Sequence, residues 1–184
     1  MKLLIASDIH GSAYWCEKLL LLLKREKAER MLLLGDILYH GPRNDLPREY
    51  APKAVTAMLN GLDTPVLGVR GNCDAEIDQT VLTFPLMSDY ALLLWSSRTL
   101  FVTHGHVFAP DSHPRLLPGD AFLSGHIHIP VCEWRDGILY LNPGSVSLPK
   151  ESTGNSCMVF ENGIFRWFDL ENGECRKEEN WEAL

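Results

Sequence analysis

In "SDIHG", residues 7–11, a carboxylate and an imidazole stand two positions apart at the end of an apolar run that begins at Leu3. The arrangement recurs along the chain. "GDILYHG" carries Asp36, "RGNCD" carries Asn72 and Asp74, "THGH" carries His104 and His106, and "GHIH" carries His126 and His128. Any one of these residues could be a turn former. Together they are harder to set aside, because four of the seven histidines of the chain fall in the last two segments. Carboxylates, imidazoles and one amide, without thiolates, form a ligand set for a borderline or moderately hard divalent cation. The groups outnumber the needs of one tetrahedral ion, and a carboxylate can bridge two ions through its two oxygens. Two ions about 3.5–4 Å apart hold a hydroxide at neutral pH and clamp a phosphoryl group during in-line displacement.

Such residues need strands to carry them. "KLLIASD" reads as a first strand, and "SAYWCEKLLLLLKREKA" as a helix with Ser12 as N-cap and cationic residues toward its end. "RMLLLGD" reads as a second strand, "APKAVTAMLNG" as a helix opening near a Pro and closing at Gly61, and "TPVLGVRGNCD" as a return to strand. Strand, helix, strand, helix, strand predicts right-handed parallel crossovers, and ligands gather at the carboxyl ends of such strands. From residue 90 the pattern changes to short strands. "YALLLW" and "RTLFVTHGH" form an expected hairpin, "AFLSGHIH" and "GILYLNPGS" follow, and "SCMVFENGIFRWFDL" turns at Glu161, Asn162 and Gly163. The charged stretch from about residue 171 is expected as a frayed end or a short surface helix.

The chain has 184 residues, a length expected to form one domain over 1–184. A formal net charge of -7 disfavours a surface that grips long nucleic acid, while a small anionic substrate remains compatible with a local cation. Five scattered cysteines without a CxxC pair signal neither a disulfide framework nor a thiolate zinc site, and fit a reducing cytoplasm. The opening "MKLLIAS" is too short for a secretory core, and "LLLLL" at 19–23 is too short to span a bilayer and reads as a buried helix face. Homo-oligomerisation is left open.

The order D-x-H, G-D, G-N, H-G-H and G-H-x-H resembles the calcineurin-like metallophosphoesterase superfamily over residues 1 to about 150, and "GDILYHGPRNDLPREYAPKAV", "RGNCD" and "NPGSVSLPK" resemble its small bacterial phosphodiesterases. The resemblance implies an α/β sandwich of two mixed β-sheets flanked by helices. It implies one metal held by Asp8, His10, Asp36 and His128, and a second held by Asp36, Asn72, His104 and His126, with Asp36 as the bridge. Manganese is the foremost ion, with iron, zinc, nickel and cobalt as rivals. The implied activity is hydrolysis of small phosphodiesters by a hydroxide bound at the two-metal centre. The alternatives are a phosphomonoesterase and a protein-binding scaffold of the kind found in a eukaryotic retromer subunit of similar fold.

Three neighbours of the expected ligands are further candidates. Asp74 is expected either to orient a ligand imidazole or to cap a following helix. His106 shares a face with His104 if the segment stays extended, and so could touch a phosphate or hydrogen-bond a ligand. Cys73 stands where many superfamily members carry a histidine thought to protonate the leaving group; near two cations its thiol should tend toward thiolate, which cannot donate a proton. The loop after Asp36, with His40 and Arg43, reads as a rim or lid able to supply positive charge. The Pro and Gly of "NPGSVSLPK" read as a tight turn.

Overall fold

The computed structural model describes residues 1–182. Its first half follows the predicted alternation: β1 (Lys2–Ala6), α1 (Ala13–Glu26), β2 (Arg30–Leu33), α2 (Pro52–Asn60) and β3 (Val66–Gly68). β1, β2 and β3 pair in parallel. α1 begins at Ser12, whose Oγ accepts from the Trp15 N–H, and ends with Lys24 and Arg25 in its last turn. Of the five consecutive leucines, Leu19, Leu22 and Leu23 are buried and Leu21 is 59% exposed, because 3.6 residues per turn carries part of any unbroken run to water.

The second half supplies β4 (Tyr90–Trp95), β5 (Arg98–Thr103), β6 (Ala121–Leu123), β7 (Pro130–Arg135), β8 (Ile138–Pro143), β9 (Ser156–Glu161), β10 (Ile164–Asp169) and β11 (Cys175–Asn180). The strands assemble into a six-stranded sheet, β11-β10-β9-β1-β2-β3, and a five-stranded sheet, β4-β5-β6-β8-β7, both mixed. The hairpin expected at residues 90–103 is β4–β5, and the turn at Asn162 and Gly163, both at positive φ, joins β9 to β10.

One expectation changes here. The charged stretch after residue 171 contains a strand, not a frayed end or a helix: β11 pairs antiparallel with β10, and Trp181 behind it is fully buried with its indole N–H donating to the Gly119 carbonyl. Its charges hid it, since an edge strand lined with Lys and Glu has no apolar alternation to read. β5, β6 and β8 are parallel neighbours, so the later half is more than a series of hairpins.

Period-two alternation along β1 and β2 sorts the core into layers. Leu3, Ile5, Leu32 and Leu34 face the other sheet, packing with Val102, Leu123 and Leu141. Leu4, Ala6, Met31 and Leu33 face the helices, packing with Cys16, Leu19 and Val55. Both helices lie on the six-stranded sheet. The far face of the five-stranded sheet is covered instead by the loop after β5, where Phe108 and Leu116 pack on Phe101, Phe122 and Tyr140. No described helix is long and apolar enough to cross a membrane.

Candidate metal centre

The carboxyl ends of β1, β2, β3, β5 and β6 meet at one edge of the sandwich, and all seven expected ligands arrive there. Their backbone is unusual. Asp8 (φ 61°), His10 (48°), Asp36 (55°), His126 (68°) and His128 (62°) are all left-handed, five of the twelve described non-glycine residues at positive φ. Each such residue costs on the order of 1–3 kcal/mol and persists only where surrounding contacts hold it. The contacts are visible: the N–H of Asp8 donates to the Gly35 carbonyl, that of His10 to Asp36 and that of Gly11 to Ile37. The glycines of the motifs serve close approach. A Cβ on Gly71 would collide with the backbone and carboxylate of Asp36, and one on Gly125 with the hydroxyl of Ser7.

The outer nitrogens of three imidazoles face carbonyl oxygens. His10 Nδ1 lies 2.7 Å from Tyr39 O, His104 Nδ1 2.6 Å from Leu34 O, and His128 Nδ1 2.6 Å from Leu148 O. A carbonyl only accepts, so each Nδ1 carries a hydrogen and each ring turns its Nε2 inward. There the acceptors crowd. His10 Nε2 is 3.3 Å from His128 Nε2, and His104 Nε2 is 3.1 Å from Asn72 Oδ1 and 3.2 Å from His126 Nδ1. Asp8 Oδ1, fully buried and without a hydrogen-bond partner, is 3.2 Å from His128 Nε2 and 3.6 Å from His10 Nε2. Ring nitrogens and carboxylate oxygens that converge at these distances around an unpartnered buried Oδ1 are what a cation would draw together, so the donor set fits a divalent metal.

Asp36 occupies the middle. Its Oδ2 is 3.7 Å from His10 Nε2 and 3.6 Å from His104 Nε2, while its Oδ1 accepts from the Cys73 N–H at 2.8 Å. One oxygen, rather than two, faces both imidazole groups. Likewise Asp8 Oδ2 accepts from the His126 N–H, leaving Oδ1 free.

Charge follows the same geometry. Burial would raise Asp8, yet the adjacent imidazoles of His10 and His128, with His104 beyond them, hold it well below the usual carboxylate range. Burial would lower His10, yet Asp8 and Asp36 raise it, a proton taking the place a metal would fill. His126 and His106 are lowered by burial and by His104.

The three neighbouring candidates behave differently. Asp74 neither orients an imidazole nor caps a helix: its Oδ2 accepts from the N–H groups of Asp36 (2.8 Å) and Gly71 (2.7 Å), and its Oδ1 from that of Ile37 (2.9 Å). It positions the backbone under Asp36, because the close approach at Gly71 folds residue 74 back beneath the β2 loop. Burial raises its pKa. His106 lies edge-on to His104, with centroids 5.3 Å apart; its Nδ1 is buried without a partner, and it does not line the cleft described below. Cys73 reaches the site, grouped with His10 and Asp36. The protein's own groups push its thiol away from thiolate: burial, then Asp36, Asp74 and Asp8, raise it to about 12.

A cleft of about 460 Å³ opens over this centre, lined by His10, Asp36, Asn72, Cys73, His126 and His128 together with Gly41, Pro42, Arg43, Asn44, Ile127 and Lys150. The loop after β2 therefore forms a rim. His40 does not join it; its ring packs between Tyr39 and Tyr50. The sequence "NPGSVSLPK" is more than a turn. Ser145 and Ser147 both donate to the Asp8 carbonyl at 3.1 Å, Leu148 orients His128, and Lys150 reaches the cleft. Nothing in the spacing of these residues announces those contacts; the two serine contacts join positions 137 and 139 residues apart.

Comparison with known proteins gives the same picture. The family described as the calcineurin-like phosphoesterase superfamily domain matches residues 1–162. The chain belongs to that superfamily. Phosphodiesterase YfcE of Escherichia coli K12 is 45% identical over 164 residues, covering 89% of each chain. The solved structure of E. coli YfcE, described as a phosphoesterase, superposes with a TM-score of 0.95 over 99% of this chain and 100% of that one. The superfamily fold extends further: Vps29 of Entamoeba histolytica, solved with zinc, matches with a TM-score of 0.64 at 16% identity over 99% of this chain and 100% of its own. At that distance the likeness concerns the fold alone.

Proposed function

We propose that the chain is a metal-dependent phosphodiesterase acting on small phosphodiesters, with one ion held by Asp8, His10, Asp36 and His128, a second by Asp36, Asn72, His104 and His126, and Asp36 shared. The observation that carries this reading is the inward-facing set of ring nitrogens and carboxylate oxygens around the orphaned Asp8 Oδ1. Two divalent cations there supply Lewis acidity toward phosphoryl oxygens and an acidified water at neutral pH. The chain's own part is positioning: carbonyls of Tyr39, Leu34 and Leu148 keep three imidazoles in the tautomer that binds, and Asp74 holds the backbone of the shared carboxylate. Oxygen and nitrogen donors suit manganese, the ion to try first, with iron, zinc, nickel and cobalt as rivals.

The similarity to YfcE, a phosphodiesterase, supports diesters over monoesters as substrates. A net charge of -7 argues against long nucleic acid as a partner, and five free cysteines support a reducing, cytoplasmic setting for one domain over residues 1–184. Metal analysis, thermal melting and turnover of bis(p-nitrophenyl) phosphate against p-nitrophenyl phosphate form the test. Chelated protein should melt lower, and manganese at about 100 times its Kd should restore about 2.7 kcal/mol, since the unfolded chain cannot assemble seven ligands from five segments. A flat melting response across metals, with no turnover, would favour the scaffold alternative.

A further inference from the structure

The cleft is wider than a phosphate requires, and its rim carries two cations that the ligand set does not use. Arg43 and Lys150 both line it, and among the described residues neither has a carboxylate within the 4.0 Å of an ion pair. Other cations of the chain are committed to carboxylates, as Arg70 is to Asp89 and Arg166 to Glu178. Arg43 and Lys150 line the same cleft as Asp36 without being paired to a carboxylate among the described residues.

The backbones that bear them are anchored. The Lys150 N–H donates to the carbonyl of His128, and its own carbonyl accepts from the N–H and Oγ1 of Thr153. The loop of Arg43 is closed by Asn44, whose Nδ2 donates to the His40 carbonyl at 2.8 Å, and Gly41 lies against Cys73. The two residues therefore flank the centre from different elements, one after β2 and one after β8, with the apolar surfaces of Pro42 and Ile127 also on the wall. A guanidinium and an ammonium beyond the centre recognise an oxyanion; apolar wall beside them accommodates an organic body.

We infer that Arg43 and Lys150 select phosphodiesters that carry a second anionic group, a phosphate or a carboxylate, on the portion retained after cleavage. The inference rests on the phosphodiesterase reading and deepens it by naming a substrate class. The scissile phosphate meets the ligand-rich floor, the organic portion lies along Pro42 and Ile127, and the second oxyanion meets the two rim cations.

The test uses two chromogenic diesters with the same leaving group: thymidine 5′-(p-nitrophenyl phosphate) with and without a 3′-phosphate. Manganese-loaded protein should show a kcat/KM about tenfold higher for the 3′-phosphorylated diester, the size of one charge-assisted contact. Calorimetry gives a readout independent of turnover: thymidine 3′,5′-bisphosphate should bind more tightly than thymidine 5′-monophosphate by a similar factor. Both ratios should fall toward one in Arg43→Gln/Lys150→Gln. They should persist in Arg43→Lys/Lys150→Arg, and in Lys24→Gln/Arg30→Gln, which removes the same charge from α1 and the start of β2. If both diesters turn over with equal kcat/KM, or if Arg43→Gln/Lys150→Gln keeps the wild-type ratios, the inference fails while the phosphodiesterase reading stands. If neither diester is hydrolysed with any divalent metal, both fail.

Discussion

The two ends of the six-stranded sheet use charged residues in opposite ways. At the amino end of β1, Lys2 Nζ lies 3.2 Å from Glu161 and 3.6 Å from Glu26, and the terminal amine 3.7 Å from Glu29. These groups are in contact with water, where such pairs contribute about 0–1 kcal/mol. At the carboxyl end, Asp8, Asp36, Asp74 and His104 are buried, and the carboxylates are held by backbone N–H groups. Five residues there adopt left-handed backbone. The two ends differ in burial and in what holds their charges. The amino end keeps its charges in contact with water; the carboxyl end keeps buried charge and strain that the layers of leucine, valine and phenylalanine below it must offset.

Substitutions at the two ends should separate accordingly. Asp36→Asn is expected to lower manganese-dependent turnover by about 10²–10³-fold, the scale of losing a preorganised charge at a reacting centre. Its amide oxygen can still accept from the Cys73 N–H, so circular dichroism should be native. Near wild-type turnover would remove Asp36 from the shared position. Asp74→Ala should be felt in stability first. Three backbone N–H groups lose their acceptor, and urea denaturation should show a loss of about 2–4 kcal/mol. A loss below 1 kcal/mol would mean that the buried end is no more demanding than the exposed one.

A smaller effect is expected at Cys73. Burial and carboxylates hold the Cys73 thiol up without metal, and two cations would draw it toward thiolate; neither state is an acid matched to the leaving group, so the rate should depend steeply on leaving-group acidity. Cys73→His should flatten that dependence, by about 10²-fold in rate for the poorest leaving groups, as a general acid supplies at the low end of its range. Parallel leaving-group plots of equal slope for the two proteins, with the same metal, would exclude position 73 from protonation. The smallest change belongs to Lys2→Ala, which should alter stability by no more than about 1 kcal/mol. A larger loss would contradict the contrast between the ends.

Much of this was legible beforehand because it depends on local pattern. The parallel β1–β2–β3 core, both helices and the β4–β5 hairpin follow from apolar periodicity, caps and turn residues. So does the grouping of polar residues at strand ends. β11 was not legible, since its pairing with β10 depends on a neighbour and its anchor, Trp181, on a core formed by both sheets. Asp74 illustrates the same limit: its type and position pointed to an imidazole or a helix, but its partners are backbone groups of Gly71 and, nearly forty residues away, of Asp36 and Ile37.

The chain's own residues determined the kind of chemistry. Donor identity and order along the strands are properties of side-chain type and of the two-residue spacing, and they point to a divalent metal before any contact is known. Only the tertiary structure decided how those donors are used. It set which nitrogen of each histidine faces inward, through carbonyls of Tyr39, Leu34 and Leu148, and which single oxygen of Asp36 lies between His10 and His104. It also brought Lys150 to the cleft opposite the motifs of the first half. The physical reason is that hydrogen-bond direction and burial depend on what lies across the sandwich, and those partners come from distant parts of the chain.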